Sequence, residues 1–466
     1  MRKYSWICSG MLLASALVWL AQTAKSEPEF SGQISRPAPE WLRSGTIYEI
    51  FPRDFSTAGN LAGITSRLDE LKELGVNILW LMPIHPIGEK FRKGEFGSPY
   101  SIRDYYAVDP NYGTVNDFKN LVAGAHQRGL KVIMDLVANH TAWDNVMMTN
   151  HAFYKQDAAG KVISPVPDWT DVAGLNYGNP DLRKYMLSML KYWIKECDVD
   201  GFRCDAAPMV PTDFWVQVRT ELTQVKPDLM LLDEGEQPEL LAKAFDIDYS
   251  WKLMWAMNDV MSHNASAVNI RRSWEESYSQ NPKGALRLRI SDDHDETRAI
   301  ARYGMNGALA ASVLMFTLDG VPLLYNGMEV GDATESADPA LFNKMNICWQ
   351  PHQSERAPFR AIYHDLIQLR KKYSALRSDH LQWVSNANEA ALLTYLRADD
   401  QDEFLVAINF SNRPLSSHLE VKQPGGFSSL KISGSQNSSN DPLPTLRLNG
   451  FEWRIYHRTV TLAVTK

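Results

Sequence analysis

From about Gly45 to Ser374, short apolar runs alternate with amphipathic segments. That alternation specifies parallel strands joined by crossover helices. The strand candidates follow in order: Thr46 to Phe51, Asn77 to Met82, Lys131 to Val137, Gly201 to Cys204, Leu229 to Leu232, Ala244 to Ile247, Leu286 to Ile290 and Pro322 to Tyr325. Between them, Ile64 to Leu74, Val115 to Arg128 and Leu182 to Glu196 carry apolar residues at helical spacing. Eight such strands predict an α/β fold closed as a (β/α)8 TIM barrel over residues 45–374. A doubly wound open sheet is the competing arrangement, because periodicity alone does not specify closure.

One connection is longer than the rest. Residues 141–180, rich in Trp, Pro, Asp, Asn and Gly, read as a loop-rich excursion after the third strand, and long irregular loops in compact domains are often functional. Beyond Ser374 the runs Ala391 to Leu396, Phe404 to Ile408 and Val460 to Val464, with the polar stretch Gly434 to Asn440 between them, predict a C-terminal antiparallel β domain over 375–466. Residues 27–44 form a lead-in to the barrel.

Residues 1–26 place Arg2 and Lys3 before an apolar run from Trp6 to Ala21, then small and polar residues, which is the layout of a secretory signal peptide. Export, to a periplasm or outside the cell, is therefore expected. No second apolar stretch is long enough to span a bilayer. The formal net charge is -7, and loss of Arg2, Lys3 and Lys25 with the leader makes it -10. Such a surface argues against nucleic acid or anionic membrane as partner. Cys8 falls in the leader, and Cys197, Cys204 and Cys348 read as buried free thiols rather than a disulfide framework or metal site.

The candidate chemistry centres on DGFRCDAA, Asp200 to Ala207. Arg203 and Asp205, two residues apart on a strand, share a face, so the guanidinium can orient the carboxylate as a nucleophile. A structural ion pair is the alternative at this point. In a closed barrel the functional centre lies at the carboxyl ends of the strands. Asp135, Asn139 and His140 fall there, as do Asp233, Glu234 and Glu236, and Asp292, Asp293, His294 and Asp295.

The segments DLVANH (135–140), DGFRCD (200–205), LLDEGE (231–236) and DDHD (292–295) resemble the four ordered motifs of the α-amylase family of glycoside hydrolases, glycoside hydrolase family 13. YEIFPRDFS, GSPYSIRDYYAVDPNYGT and PLLYNGMEVG are similar to further family segments, so the resemblance covers nearly all of residues 40–375. It implies a retaining mechanism on α-1,4-glucosidic bonds in starch, glycogen fragments or maltooligosaccharides. By position it implies Asp205 as nucleophile, Glu234 as general acid/base with a raised pKa, and Asp295 as the carboxylate stabilising the transition state. It also implies that Arg203 aligns Asp205, that His140 and His294 bind sugar hydroxyls, and that Tyr100 stacks on the sugar ring. Asp135 is expected to be mainly structural near the site, and Glu236 a rim residue. Trp143 and Trp169 are candidate sugar platforms.

Three departures bear on substrate and metal. Gly174 stands where many members carry an aspartate that helps bind structural calcium, and Asn139 alone cannot supply the six to eight oxygens that ion takes. No metal or cofactor is therefore expected to be required for the chemistry. Ala206 to Met209 lack the Lys-His pair that many starch-degrading members carry, and Asp293 replaces the usual Asn. A transglycosylase, cyclomaltodextrinase or exo-acting α-glucosidase of the same family is the alternative enzyme, and a catalytically inert sugar-binding barrel the non-enzymatic one.

Overall fold

The computed structural model describes residues 30–349, 358–433 and 442–460. The predicted signal peptide and the Gly434 to Asn440 stretch lie outside them. Strands β1 (Ile47–Ile50), β2 (Ile78–Leu81), β3 (Lys131–Val137), β4 (His140–Ala142), β5 (Val172–Gly174), β6 (Gly201–Asp205), β7 (Met230–Asp233), β8 (Ile247–Asp248), β9 (Leu286–Arg289) and β10 (Val321–Tyr325) precede the C-terminal region. All but β4 and β5 join into a closed parallel barrel in the order β1-β10-β9-β8-β7-β6-β3-β2. Pairing of Ile47 with Leu323 on one side and Ile78 on the other closes it.

Every residue of β1, β2, β6, β7 and β10 is buried, the pattern of strands covered on both faces. The parallel register sets Asp135 beside Arg203 and Val137 beside Asp205. Chemistry-bearing residues are thus brought to one level of the barrel by hydrogen-bonded backbone. No helix among the described residues is long and apolar enough to cross a membrane.

Several boundaries differ from expectation. The predicted helix over 64–74 is two helices, Leu61–Thr65 and Leu68–Leu74, the first capped by the Asn60 side chain accepting from the Gly63 N–H. β8 begins three residues later than the apolar run, because the Ala244 and Phe245 N–H groups both turn back to the Leu240 carbonyl to end the preceding helix. The excursion contains an antiparallel pair, β4 with β5, in the register His140 to Gly174.

The C-terminal strands are β11 (Leu381–Trp383), β12 (Leu392–Ala398), β13 (Asp402–Asn409), β14 (Leu415–His418), β15 (Ser428–Ser429), β16 (Thr445–Leu448) and β17 (Trp453–Thr459). They form a five-stranded sheet, β11-β12-β13-β17-β15, and the pair β14-β16. Residues 461–464 of the expected run Val460 to Val464 lie outside the described residues, and β17, which ends at Thr459, is not signalled by an apolar run. Charge masked it: Arg458 and His457 pair across the strand with Glu403 and Asp402. Cys197 and Cys204 are buried free thiols as expected, but Cys348 is exposed.

Gly201 marks the tightest approach in the barrel wall. A Cβ there would lie 2.1 Å from the Met230 carbonyl oxygen on the neighbouring strand, whereas one at Gly425 meets nothing within 4 Å. Overpacking against hydrogen-bonded backbone leaves no rotamer to yield. Gly201→Ala is expected to cost about 3 kcal/mol or to prevent folding. Gly425→Ala should stay within about 0.5 kcal/mol. Equal denaturant midpoints for the two variants would contradict this.

Candidate active site

The barrel directs one buried cation at three carboxyl groups. Arg203 on β6 is 0% exposed. Its Nη1 donates to Asp135 Oδ1 and Oδ2 at 3.0 and 3.1 Å and to Asp205 Oδ1 at 3.1 Å. Nη2 lies 2.7 Å from Glu234 Oε1. The guanidinium is walled by Trp80, Tyr100 and Tyr249, whose ring centroids are 5.2, 5.6 and 5.9 Å from its Cζ. Burying a cation is costly unless it is paired, and removing one partner of such a pair typically costs about 3–5 kcal/mol.

The carboxyl groups respond to this crowding. Burial pushes Asp205 well above the ordinary carboxylate range and the charge of Glu234 adds to the push, while Arg203 opposes both. Asp135 is also raised by burial against the pull of Arg203. Arg203, although opposed by burial, is held in its charged form by Asp135 and Glu234. Arg203 holds Asp205 in line but does not outweigh its burial. One guanidinium serves several acids, and the charge of Asp135 also raises Asp205.

The backbone next to Asp205 takes part. Ala206 adopts φ 43°, ψ 41°, a left-handed conformation that costs an L-residue about 1–2 kcal/mol. Its N–H there donates to Glu234 Oε2 at 2.6 Å. Gly235 lets the β7 loop close onto this turn, since a Cβ would meet Pro208 at 2.5 Å. Glu236 points elsewhere, accepting from Arg287 Nη2 at 2.9 Å on the β9 side. Of the two glutamates, Glu234 alone reaches the Arg203 cluster.

Beside Arg203 across Trp80, His294 organises the loop after β9. Its Nδ1 meets Glu49 Oε1 of β1, and its Nε2 lies 2.6 Å from the Tyr100 hydroxyl and 3.3 Å from Asp295 Oδ2. Tyr100 stacks on the imidazole at 5.5 Å and 23° and donates to Asp135 Oδ2 at 3.2 Å. A chain of contacts therefore runs Glu49, His294, Tyr100, Asp135, Arg203. Burial disfavours the His294 cation, but Asp295 and Glu49 raise its pKa well above the ordinary value. Enclosure likewise works against the Asp295 charge, yet His294 holds it below the usual carboxylate value.

Asp293, in place of the usual Asn, accepts from the Asp295 and Glu296 N–H groups at 3.1 Å each. It shapes the turn that presents Asp295, and burial plus the Asp295 charge push its own carboxyl well up. His140 is buried, with its pKa lowered to about 4 by burial, and the Trp169 ring meets it edge-on at 5.4 Å. Trp143 pairs instead with Phe91. Sequence reasoning missed Glu49, Trp80 and Tyr249. For Glu49 a signal existed, a lone carboxylate inside an apolar strand.

The position where many family members carry a calcium-binding aspartate is closely packed in this chain. A Cβ at Gly174 would lie 3.2 Å from the Pro165 backbone and 3.2 Å from the Lys155 stem, so a side chain there would need its neighbours to shift by a few tenths of an ångström. The Asn139 amide is turned toward Met209 Sδ at 3.6 Å. Among the described residues no group of three or more His, Cys, Asp or Glu is arranged to hold a metal.

The family described as "Alpha amylase, catalytic domain" matches residues 47–162 and 167–361. The chain is 28% identical over 406 residues to "Alpha-amylase MalA" of Haloarcula japonica, covering 83% of this chain and 58% of that protein. It is 27% identical over 420 residues to a "Cyclomaltodextrinase" of Bacillus sp, covering 80% and 73%. The crystal structure of a noncanonic maltogenic alpha-amylase, AmyB from Thermotoga neapolitana, superposes with a TM-score of 0.81 at 30% identity, covering 90% of this chain and all of that one.

Glu49, Tyr100, Asp135, Asp293 and Asp295 are the ionisable groups that bear on His294. A histidine with a raised folded pKa contributes stability that is complete below its unfolded pKa, about 6.5, and is lost as pH rises through the folded value. Glu49→Gln keeps the shape and removes one charge, so the His294 pKa should fall, as followed by histidine-labelled NMR. An unchanged titration would take Glu49 out of this account.

Proposed function

The chain belongs to the α-amylase family, and from that premise we propose that it is a retaining glycoside hydrolase acting on α-1,4-glucosidic bonds of maltooligosaccharides and related glucans. The observation that carries this reading is the sharing of Arg203. Asp205 and Glu234 sit on neighbouring nitrogens of one guanidinium, which favours the retaining geometry, where the carboxyl groups are about 5–5.5 Å apart, over the wider inverting one.

In the proposed reaction, Asp205 attacks the anomeric carbon while Glu234 gives its proton to the leaving glycosidic oxygen. A covalent glycosyl ester forms on Asp205. Glu234, now a carboxylate, takes a proton from water, whose oxygen attacks the same carbon and releases Asp205. Asp295 stabilises the positive charge of both transition states. Its link to His294 supports a fixed position, and the charged imidazole is a donor for sugar hydroxyls.

Substrate length follows from what surrounds the centre. Where many starch-degrading members carry Lys-His, this chain has Pro208 and Met209, and Met209 is 37% exposed. An apolar surface there supports short or cyclic substrates over long helical starch. The cyclomaltodextrinase reading is therefore the second one, favoured also by that name among the relatives. The apolar leader supports export. The close packing at Gly174 supports a protein that needs no calcium.

Incubation with maltooligosaccharides, cyclodextrin, soluble starch and pullulan should give mixed short products, with cyclodextrin opened as well as linear chains cut. Asp205→Asn should reduce turnover by at least about a thousandfold. Near-normal turnover in that variant would overturn the assignment. Dialysis against a chelator should leave the thermal midpoint unchanged, and a midpoint restored by added calcium would contradict that part.

A further inference from the structure

We propose that Trp255, the exposed end of an aromatic stack that reaches back through Trp251 to buried Tyr249, completes a track for the part of an α-glucan lying beyond the cleaved residues, with a sugar ring seated on its outer face at the barrel rim. The inference rests on the proposed α-glucan substrate and names where the rest of the chain lies.

Tyr249 directly follows β8 and is fully buried beside Arg203, with no hydrogen-bond partner for its hydroxyl among the described residues. Trp251 stacks on it at 4.9 Å and 23°, and Trp255 continues the stack at 6.2 Å and 20°. Trp251 and Trp255 are four residues apart on the helix Trp251–His263 and so share a face. Trp255 is 51% exposed. The stack thus leads without interruption from the buried centre to solvent.

Core packing does not account for the outer member. The same helix buries Leu253, Met254, Met257 and Val260, which already supply its core-facing stripe. Trp255 stands outside that stripe, with its ring parallel to the one beneath it. The outer face of the Trp255 ring suits the apolar face of a pyranose. Asn258, one turn further on, accepts from the Tyr303 hydroxyl at 3.2 Å. Arg302 beside it binds the Ser291 carbonyl at 2.7 Å, which ties the strip to the loop bearing His294 and Asp295. Continuity with that centre makes the chain bound there the occupant.

The test compares maltotriose with maltoheptaose for the full chain and for Trp255→Ala. The ratio of kcat/KM for the longer over the shorter substrate should fall about tenfold, mainly through KM, and Trp255→Phe should restore most of it. In Asp205→Asn protein, which binds without turnover, migration through a glycogen-containing gel should be retarded, and Trp255→Ala should abolish the retardation. A ratio kept within about twofold, with retardation intact, overturns the track. So does a change of oligomeric state in Trp255→Ala with the long-chain kinetics retained, which makes the strip a contact between copies. If the protein cleaves maltotriose but glycogen never retards it, the track fails and the proposed function stands. If no α-glucan is cleaved yet retardation depends on Trp255, the track stands and the proposed function fails.

Discussion

A guanidinium without access to water must be surrounded by acceptors, and in this barrel that requirement fixes the centre. Arg203 is brought beside Asp135 by strand register and carries Asp205 on the same strand face. The remaining reach of its fork is toward Glu234. Three carboxyl groups therefore crowd one charge, and burial raises Asp135 and Asp205 together. Left-handed Ala206 is part of the same bargain, since its strained turn supplies an N–H that keeps Glu234 in place. A neutral residue at position 203 would leave the cluster without its organising charge.

A second buried cation, beside the first across Trp80, repeats the arrangement with fewer acids. There one imidazolium stands between Glu49 and Asp295, and Tyr100 joins the two halves by touching both His294 and Asp135. The aromatic rings around Arg203 exclude water, which strengthens each of these contacts. They also begin the path outward, because Tyr249 belongs both to the wall around Arg203 and to the stack that ends on Trp255. Rigid strands set the central groups, while the loops around them leave room for substrate choice.

Much of this was legible before any coordinates. β3 matches its apolar run from Lys131 to Val137 residue for residue, since a strand buried on both faces needs such a run. Acids and histidines at several strand ends have no shared packing reason, and the motifs that resemble the α-amylase family single out Arg203, Asp205, Glu234, His294 and Asp295 among them. β17 gives no apolar run to read because cross-strand ion pairs put charge inside the strand. Glu49, Trp80 and Tyr249 were missed because their roles come from convergence of separate strands. Trp80 is unremarkable within an apolar run, and Tyr249 acquires its role only beside Arg203. The sharing of Arg203 is likewise a tertiary fact, absent from the spacing of any one motif.

The account turns on Asp205 and Glu234 having different tasks although both contact one guanidinium. Reaction with a slow fluorinated maltosyl substrate, followed by peptide mass spectrometry, reads this directly. The account predicts a stable glycosyl ester on Asp205. An ester on Glu234, or turnover of that substrate with no covalent species, would contradict it.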